Sequence, residues 1–415
     1  MNSASNENVD ITDVDVAIVG AGMMGAALAR SLMSADVKIA LIDSQEKSSV
    51  LNSSRVASSV NDFSARVSAL TPLSVNFLDD LGVWDNISAS CKSLYQKMHV
   101  WDQHGTASIS FDAAELYRDE LGIIVENKYI ISALSQCLAN QSNVQNCYGM
   151  TVEGVGKFDN GSRIITFRES DDAIRCKLLV AADGANSRIR SWSGINTREW
   201  DYQHHAIVAT VKTAKQHGRV ARQRFSDSGP IAFLPLLDQT DSQQYCSIVW
   251  SQEVDEANFL MSLSDEDFLE KLRLESENIL GDITDISSRF SYPLRQRHAK
   301  TYTKDGIVLI GDAAHTIHPL AGQGANLGFK DVVSLSDELV RASRQGVELS
   351  ESVVLKRYQR RRQADNLLTM GAMEGFKRLF EQKDPLIRLL RNSGMDWVNG
   401  QSIIKNKIMK IAMGV

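Results

Sequence analysis

Apolar and polar positions alternate differently along the chain, and each change of pattern marks an element. Residues 14–25 read VDVAIVGAGMMG, alternating and then continuous apolar positions that predict a buried strand entering a glycine turn. Residues 26–33 continue as an apolar helix, and residues 37–42 form a second strand closed by Asp43. Residues 44–64 are rich in Ser and Asn, carry no period and read as a loop. Apolar positions at Val67, Leu70, Val75, Leu78 and Leu81 predict an amphipathic helix over 66–81, opened by Arg66. Residues 98–111 suggest a hairpin with Gly105 at its turn, and 121–138 a short strand running into a helix that starts at Glu126-Asn127. Residues 178–190, LLVAADGANSRIR, predict a buried strand ending in Asp183-Gly184, then a helix carrying Arg188 and Arg190.

From Tyr202 the pattern shifts to short β-like runs at 206–211, 231–237 and 245–250, followed by a charged helix near 265–280. That combination predicts an antiparallel sheet with a helical cover. Residues 307–310 are apolar enough for one more buried strand, which ends in Gly311-Asp312. A Gly- and Pro-punctuated loop over 315–322 follows, and a helix begins at about Gln323. The expected class is α/β: a discontinuous Rossmann-like nucleotide-binding domain at 14–97, 113–199 and 296–350, an inserted antiparallel substrate domain at 98–112 and 200–295, and a helical C-terminal region at 351–415.

Composition narrows this picture modestly. Net charge is -6, which argues against bulk electrostatic binding of nucleic acid. The five cysteines (Cys91, Cys137, Cys147, Cys176, Cys246) are scattered and never form C-x-x-C, as expected for reduced thiols rather than disulfides or zinc ligands. Residues 1–13 are polar and acidic, unlike a secretory or mitochondrial leader, and no apolar run approaches the roughly 18 residues of a membrane span. The expectation is a cytoplasmic protein, or one peripheral to the inner face of a membrane. Residues 351–415 hold 13 Lys and Arg against 6 Asp and Glu. With apolar residues interleaved, this tail could meet an anionic membrane surface or an acidic partner; the alternative is a solvated face on helices packed against the body.

The chemistry concentrates in two stretches. Gly20, Gly22 and Gly25 complete G-x-G-x-x-G between a strand and a helix. The first makes the tight turn, the second lets the backbone approach a pyrophosphate, and the third lets helix and strand pack closely. Asp43, 18 residues beyond Gly25, can accept from ribose hydroxyls and would repel a 2′-phosphate. The second stretch, GIVLIGDAAHTIHPLAGQGANLGF over 306–329, puts an acid, a tight loop and a helix N-terminus after a strand, a cradle for a ligand with hydroxyls and partial negative charge. Arg66 suits a pyrophosphate or plain solvent, Asn127 a ligand or a helix cap, and Asp183 a ligand or a turn. His315 and His318 have H-x-x-H spacing but no third ligand, so no metal is expected. No second strand-G-x-G-x-x-G-helix unit exists, so any second dinucleotide should visit transiently rather than occupy its own domain.

Taken in order, the glycine turn with Asp43, ADGANS at 182–187 and GDAAHTIHPLAGQGANLG at 311–328 resemble the single-component FAD monooxygenases of the para-hydroxybenzoate hydroxylase fold. RVSAL at 66–70, VEN at 125–127, WDYQHHAIVATV at 200–211, PIAFLPL at 230–236 and YPLRQRHA at 292–299 narrow the likeness to the aromatic-ring hydroxylases of ubiquinone biosynthesis. Asp36 stands where a Gly commonly ends the first helix, a left-handed position that Asp tolerates.

The resemblance implies that Gly20, Gly22, Gly25 and Asp43 hold the AMP half of FAD, with Arg66 and Asn127 beside the pyrophosphate and ribityl chain. Gly311 and Asp312 would meet the ribityl hydroxyls. Gly324, Ala325 and Asn326 would turn helix N–H groups toward the flavin N1–C2=O edge. Asp183 would support cofactor and pyridine-nucleotide contacts, and Pro319 would line the substrate side of the ring. The implied reaction is flavin reduction by NAD(P)H, formation of a C4a-hydroperoxide with O2, and hydroxylation of an electron-rich polyprenylated phenol or quinol. No catalytic base is identified; Phe233, Leu234, Pro235 and Trp250 are candidates for an apolar substrate channel. The alternatives are a hydroxylase or oxidoreductase acting on another aromatic compound, or a non-catalytic FAD-loaded subunit recruited by partners in a ubiquinone-biosynthesis complex.

Overall fold

The computed structural model describes residues 10–46, 57–103, 108–158, 161–316, 324–381, 393–395 and 397–413. Strand β1 (Ile11–Val19) is apolar at nearly every inner position, because it is covered on both faces. It pairs in parallel with β2 (Ile39–Asp43) on one side and β11 (Ala173–Ala181) on the other. Beyond them lie β8 (Val144–Tyr148) and β19 (Ile307–Leu309), again parallel. Antiparallel β9 (Val152–Lys157), β10 (Arg163–Phe167) and β18 (Thr303–Lys304) complete this sheet. Helices α1 (Met23–Ser31), α3 (Asn127–Leu138) and α7 (Gly324–Arg344) send Leu28, Ile130, Leu134, Phe329 and Leu335 into its core.

A second, nine-stranded sheet is almost wholly antiparallel and runs β20-β17-β12-β15-β14-β13-β5-β6, with β16 (Ile283–Ile286) also paired to β12. Its strands are β5 (Lys97–Asp102), β6 (Ser108–Asp112), β12 (Thr197–Thr213), β13 (Val220–Phe225), β14 (Ile231–Leu236), β15 (Tyr245–Glu253), β17 (Phe290–Ala299) and β20 (His315–Thr316). Helices α5 (Val254–Ser262) and α6 (Asp265–Glu275) cover one face with Ala257, Leu260, Phe268 and Leu272. The opposite face meets a small sheet of β3 (Val67–Leu70), β7 (Gly122–Glu126) and β4 (Ser93–Tyr95). The fold is thus the expected Rossmann-like sheet with an inserted antiparallel sheet. It ends in helices α8 (Ser352–Glu381) and α9 (Ser402–Met413).

The structure corrects three local expectations. Residues 66–81 are not one helix: Val67–Leu70 is strand β3, and α2 (Pro72–Asp80) starts only after Thr71. Thr71 caps that helix by accepting from the Ser74 N–H, and Pro72 occupies the first turn, where its missing N–H costs nothing. The first helix ends in a 3₁₀ turn, Leu32–Ser34, followed by extended Ala35, so no left-handed residue is needed at Asp36. The runs seen at 206–211 and 245–250 are parts of longer strands, because polar ends stay paired beyond the buried middle. The hairpin near Gly105 is present as β5 and β6, with Val100 opposite Ile109, while Gly105 itself lies outside the described residues.

Candidate FAD site

Four parallel strands deliver the sequence motifs to one edge. Val19 pairs with Ile42 and with Ala181, and Ala181 pairs with Leu309. The next residues along each strand therefore emerge side by side: Gly20, Asp43, Ala182-Asp183 and, one residue later, Gly311-Asp312. This is the carboxyl edge of the sheet, with β1 at the point where the chain order reverses, the usual ligand crevice of open α/β sheets.

The glycines divide their work as the spacing predicts. Gly20 has φ +105°, and a Cβ on it would lie 2.3 Å from the Ala182 carbonyl oxygen. A Cβ on Gly25 would lie 1.8 Å from the Gly20 carbonyl oxygen. At Gly22 an added Cβ meets nothing within 4 Å. The first and third glycines press on protein, and the second faces open space beside the N–H groups of the first turn of α1. Asp43 closes the turn: its Oδ2 accepts from the Ala21 N–H at 2.6 Å, and its Oδ1 from the Gln45 N–H at 2.8 Å.

Asp183 and Asp312 are the other two acids on this edge. Asp183 Oδ2 accepts from the Ile189 N–H at 3.3 Å, whereas its Oδ1 is buried without a protein partner. Burial raises its pKa. The turn thus occupies one oxygen and leaves the other without a protein partner. Asp312 reaches solvent from a crevice crowded by protein; desolvation raises its pKa, while the charges of His315 and Arg66 act in the opposite direction. A hydroxyl-bearing ligand suits both carboxyls. These features, with the open second glycine, fit a dinucleotide laid along the edge.

Arg66, whose charge reaches Asp312, has its guanidinium carbon 5.8 Å from the Tyr292 ring centroid. Asn127 is the first residue of α3 and not its cap: its Oδ1 accepts from Ser68 Oγ at 2.7 Å. Asn326 in the first turn of α7 is buried and fully engaged. Its Nδ2 donates to the Ala69 carbonyl at 2.8 Å, and its Oδ1 accepts from the Thr71 N–H at 2.9 Å and Ser74 Oγ at 2.7 Å. The side chain thus fixes where the helix begins, leaving recognition to backbone N–H groups. Gly324 beside it faces open space, and Ala325 packs partly against the core.

A buried polar network anchors the Gly311-Asp312 loop from behind. Asp331, on α7, accepts from the Gly311 N–H at 3.0 Å and pairs with His315 Nε2 at 2.5 Å and Arg362 Nε at 2.8 Å. Burial opposes its charge, but His315 and Arg362 outweigh that and hold its carboxyl below the usual range. Asn366 connects Arg362 to the Tyr302 hydroxyl, which meets His298 Nε2 at 2.9 Å. His315 is thereby committed to Asp331; His318, its partner in the H-x-x-H spacing, lies outside the described residues. None of Asp331, Arg362, Asn366, Tyr302 or His298 was singled out by sequence reasoning. One signal was available: Asp331 sits four residues from both Leu327 and Leu335, a charge placed on an apolar stripe.

Of the apolar channel candidates, Phe233, Pro235 and Trp250 fall on the helix-covered face of their sheet. Phe233 and Trp250 are 1% and 3% exposed and belong to the core beneath α5 and α6, where Trp250 meets the Phe268 ring edge-on. Pro235 pairs with Cys246 of the same core and shares its face. Alternation along the strand leaves Leu234, Leu236, Tyr245 and Val249 facing the small β3-β7-β4 sheet, so Leu234 alone of the four points inward. Beside them, Ala206, Val208 and Leu294 pack with Tyr292 and Ala65. Pro319 lies outside the described residues.

A glycine turn and three acids on one edge of a parallel sheet, with an antiparallel sheet inserted, are the features of a flavoprotein of the aromatic-hydroxylase fold. A family model described as an FAD binding domain matches residues 13–366, and the chain belongs to that family. It is 35% identical over 401 residues to the 3-demethoxyubiquinol 3-hydroxylase of Escherichia coli (strain K12), covering 97% of this chain and 98% of that one. It is 34% identical over 443 residues to the mitochondrial ubiquinone biosynthesis monooxygenase COQ6 of Xenopus tropicalis, covering 96% and 93%. Among solved structures, the p-nitrophenol 4-monooxygenase PnpA of Pseudomonas putida DLL-E4 superposes with a TM-score of 0.75 at 20% identity, over 97% of each chain, and shows the same fold. FAD is accordingly the cofactor, and the protein is an FAD-dependent monooxygenase.

The glycine geometry separates two variants. Gly22→Val leaves the apoprotein folded, because its side chain enters open space, but weakens FAD binding at least ~10-fold, a cost of about 1.4 kcal/mol. Gly25→Ala forces α1 off β1 and lowers both the thermal unfolding midpoint and FAD affinity. Calorimetry of the apoproteins and flavin fluorescence titration measure the two effects; equal destabilisation by both variants would contradict the assignment.

Proposed function

We propose that this protein hydroxylates the aromatic ring of a polyprenylphenol-type ubiquinone precursor, with NAD(P)H and O2 as co-substrates and FAD as bound cofactor. The observation that carries the proposal is the single strand edge on which Gly20, Asp43, Asp183 and Asp312 meet. Similarity over nearly the whole chain to relatives named as ubiquinone-biosynthesis hydroxylases supports the substrate class. When bound, FAD would supply the redox chemistry, by which two electrons from the reduced nicotinamide let one atom of O2 enter the ring while the other leaves as water.

The chain's own residues would bind, orient and exclude water. The turn at Gly20, Gly22 and Gly25 and the first N–H groups of α1 would hold the pyrophosphate, with Arg66 offsetting its charge and Asn127 alongside. Asp43 would accept from ribose hydroxyls, and Asp312, carried by Gly311, from a ribityl hydroxyl. The N–H groups around Gly324, Ala325 and Asn326, at the positive end of a 21-residue helix, would stabilise negative charge on the reduced ring. The inner apolar face of the second sheet, with Leu234, Val249 and Leu294, would keep bulk water from the reacting carbon.

Purified with FAD, the protein is expected to oxidise NADH or NADPH only when a prenylated phenol is present, and to carry isotope from labelled O2 into the phenolic product. Substrate-dependent oxidation with no label in the product would reduce it to an oxidase or reductase. No oxidation at all would leave it a non-catalytic FAD-loaded subunit.

A prenylated substrate partitions into membranes, and this reading puts the protein at an anionic membrane surface. Among the described residues no helix is long and apolar enough to cross a membrane. The outward side of α9 supports a surface contact: Ile403 and Ile411 are 86% and 71% exposed, and Lys407 and Lys410 are exposed beside them. Other tail cations are paired with carboxylates of the body, Arg361 at the surface with Glu338 at 3.3 Å and buried Arg362 with Asp331. Co-sedimentation with phosphatidylglycerol vesicles should fall when Ile403→Asp and Ile411→Asp are combined; unchanged sedimentation would contradict the contact.

A further inference from the structure

The inward side of α9 has a different character from the outward one. Lys405, Met409 and Met413 recur at four-residue spacing and are 7%, 3% and 3% exposed. Lys405 Nζ ends on Glu115 Oε1 at 2.6 Å, its apolar stem lying against the body, and Asn406 Nδ2 donates to the Glu115 carbonyl at 3.4 Å. The two methionines pack on Ala113 and Leu121 and on the β5-β6 hairpin through Met98 and Phe111. Helix and body do not close completely. Between them lies a cavity of about 100 Å³, walled by Met98, Phe111, Met409 and Met413 and reaching Thr71 and Asn326 at the start of α7.

Three observations say what belongs there. The walls are mostly apolar, and the Asn326 amide at the inner end is already engaged, since its Oδ1 accepts from the Thr71 N–H and its Nδ2 donates to Ala69. Water would find few partners in such a space. Two of the walls are methionines on a short terminal helix, unbranched side chains that repack around irregular apolar shapes. Finally, the cavity adjoins the first turn of α7, where the functional reading puts the flavin ring, and its lining includes Ile408, 38% exposed, on the helix whose other face carries Ile411. At about 100 Å³ the space is smaller than the ~150 Å³ apolar cavity that takes up a benzene ring, and suits a small branched hydrocarbon unit.

We propose that this cavity holds the ring-proximal branched unit of the substrate's isoprenoid tail, and that α9 is both its outer wall and the closure that lifts to admit it. The assignment rests on the ring-hydroxylase reading. It makes the C-terminal helix a determinant of tail recognition: one face meets lipid, the other meets the chain drawn from it, and the Lys405–Glu115 pair holds the helix down.

The test uses the full-length FAD-loaded protein and two phenols with the same ring, one carrying a geranyl chain and one a methyl group in its place. Ala412→Trp, which fills the cavity from the helix side, should lower the kcat/KM ratio of geranyl to methyl substrate roughly 10-fold or more. An unchanged ratio would overturn the proposal, whether or not both activities fall together. A second readout does not depend on turnover. In Ile408→Cys, maleimide labelling at position 408, followed by peptide mass spectrometry, should slow with the geranyl phenol and not with the methyl phenol. Protection without hydroxylation of either phenol would retain the tail site and sink the ring-hydroxylase reading; no protection would sink the tail site itself.

Discussion

The parallel pairing of β19, β11, β1 and β2 is the constraint from which the rest follows. These strands come from positions as distant as Val19 and Leu309, yet their registers end within a residue of one another. Parallel neighbours need long crossover connections, and here the chain uses those connections to insert the second sheet and its covering helices. The same geometry that buries Val16, Ile18, Leu179 and Val308 therefore collects a glycine turn and three carboxyls on one edge. Burial of the core and assembly of the cofactor cradle are a single event.

The Gly311–Thr316 segment has a second duty, because it passes from one sheet to the other. β19 belongs to the parallel sheet, and β20 pairs with β17 of the antiparallel one through His298 and Arg297. Asp331 stiffens this junction with one buried carboxylate that Gly311, His315 and Arg362 all contact. Stranding such a buried charge costs about 3–5 kcal/mol, so the loop carrying Asp312 is held by energy invested behind it. Arg362 comes from α8, which explains why the helical tail is basic even where it meets no solvent: part of its charge serves the site's foundation.

The parts legible in the sequence were those whose chemistry is local. The strand before Gly20, the spacing to Asp43 and the strand ends at Asp183 and Asp312 each declare themselves within a few residues. The fold class followed, because strand-turn-helix units followed by β-rich sequence admit few arrangements. What escaped depended on partners far along the chain. Residues 66–81 carried a helical apolar pattern that pairing of Val67–Leu70 with β7 overrode, although Thr71-Pro72 announced the true helix start. Phe233 and Trp250 are legible as apolar strand residues, but a period of two does not say which face takes a helical cover; α5 and α6 decide that. Asn326 gave no hint that its amide would be spent on Ala69 and Thr71, more than 250 residues away.

One extended ligand, bound along this edge, would touch all of these strand ends at once. Hydrogen–deuterium exchange of the apoprotein and the FAD-loaded protein measures this directly. The account predicts slowed exchange on loading at residues 20–26, 43–45, 183–189 and 311–316 together, with little change in the helix-covered face of β14 and β15. Protection confined to residues 20–45, with 311–316 unaffected, would show a nucleotide bound by the glycine turn alone and would contradict it.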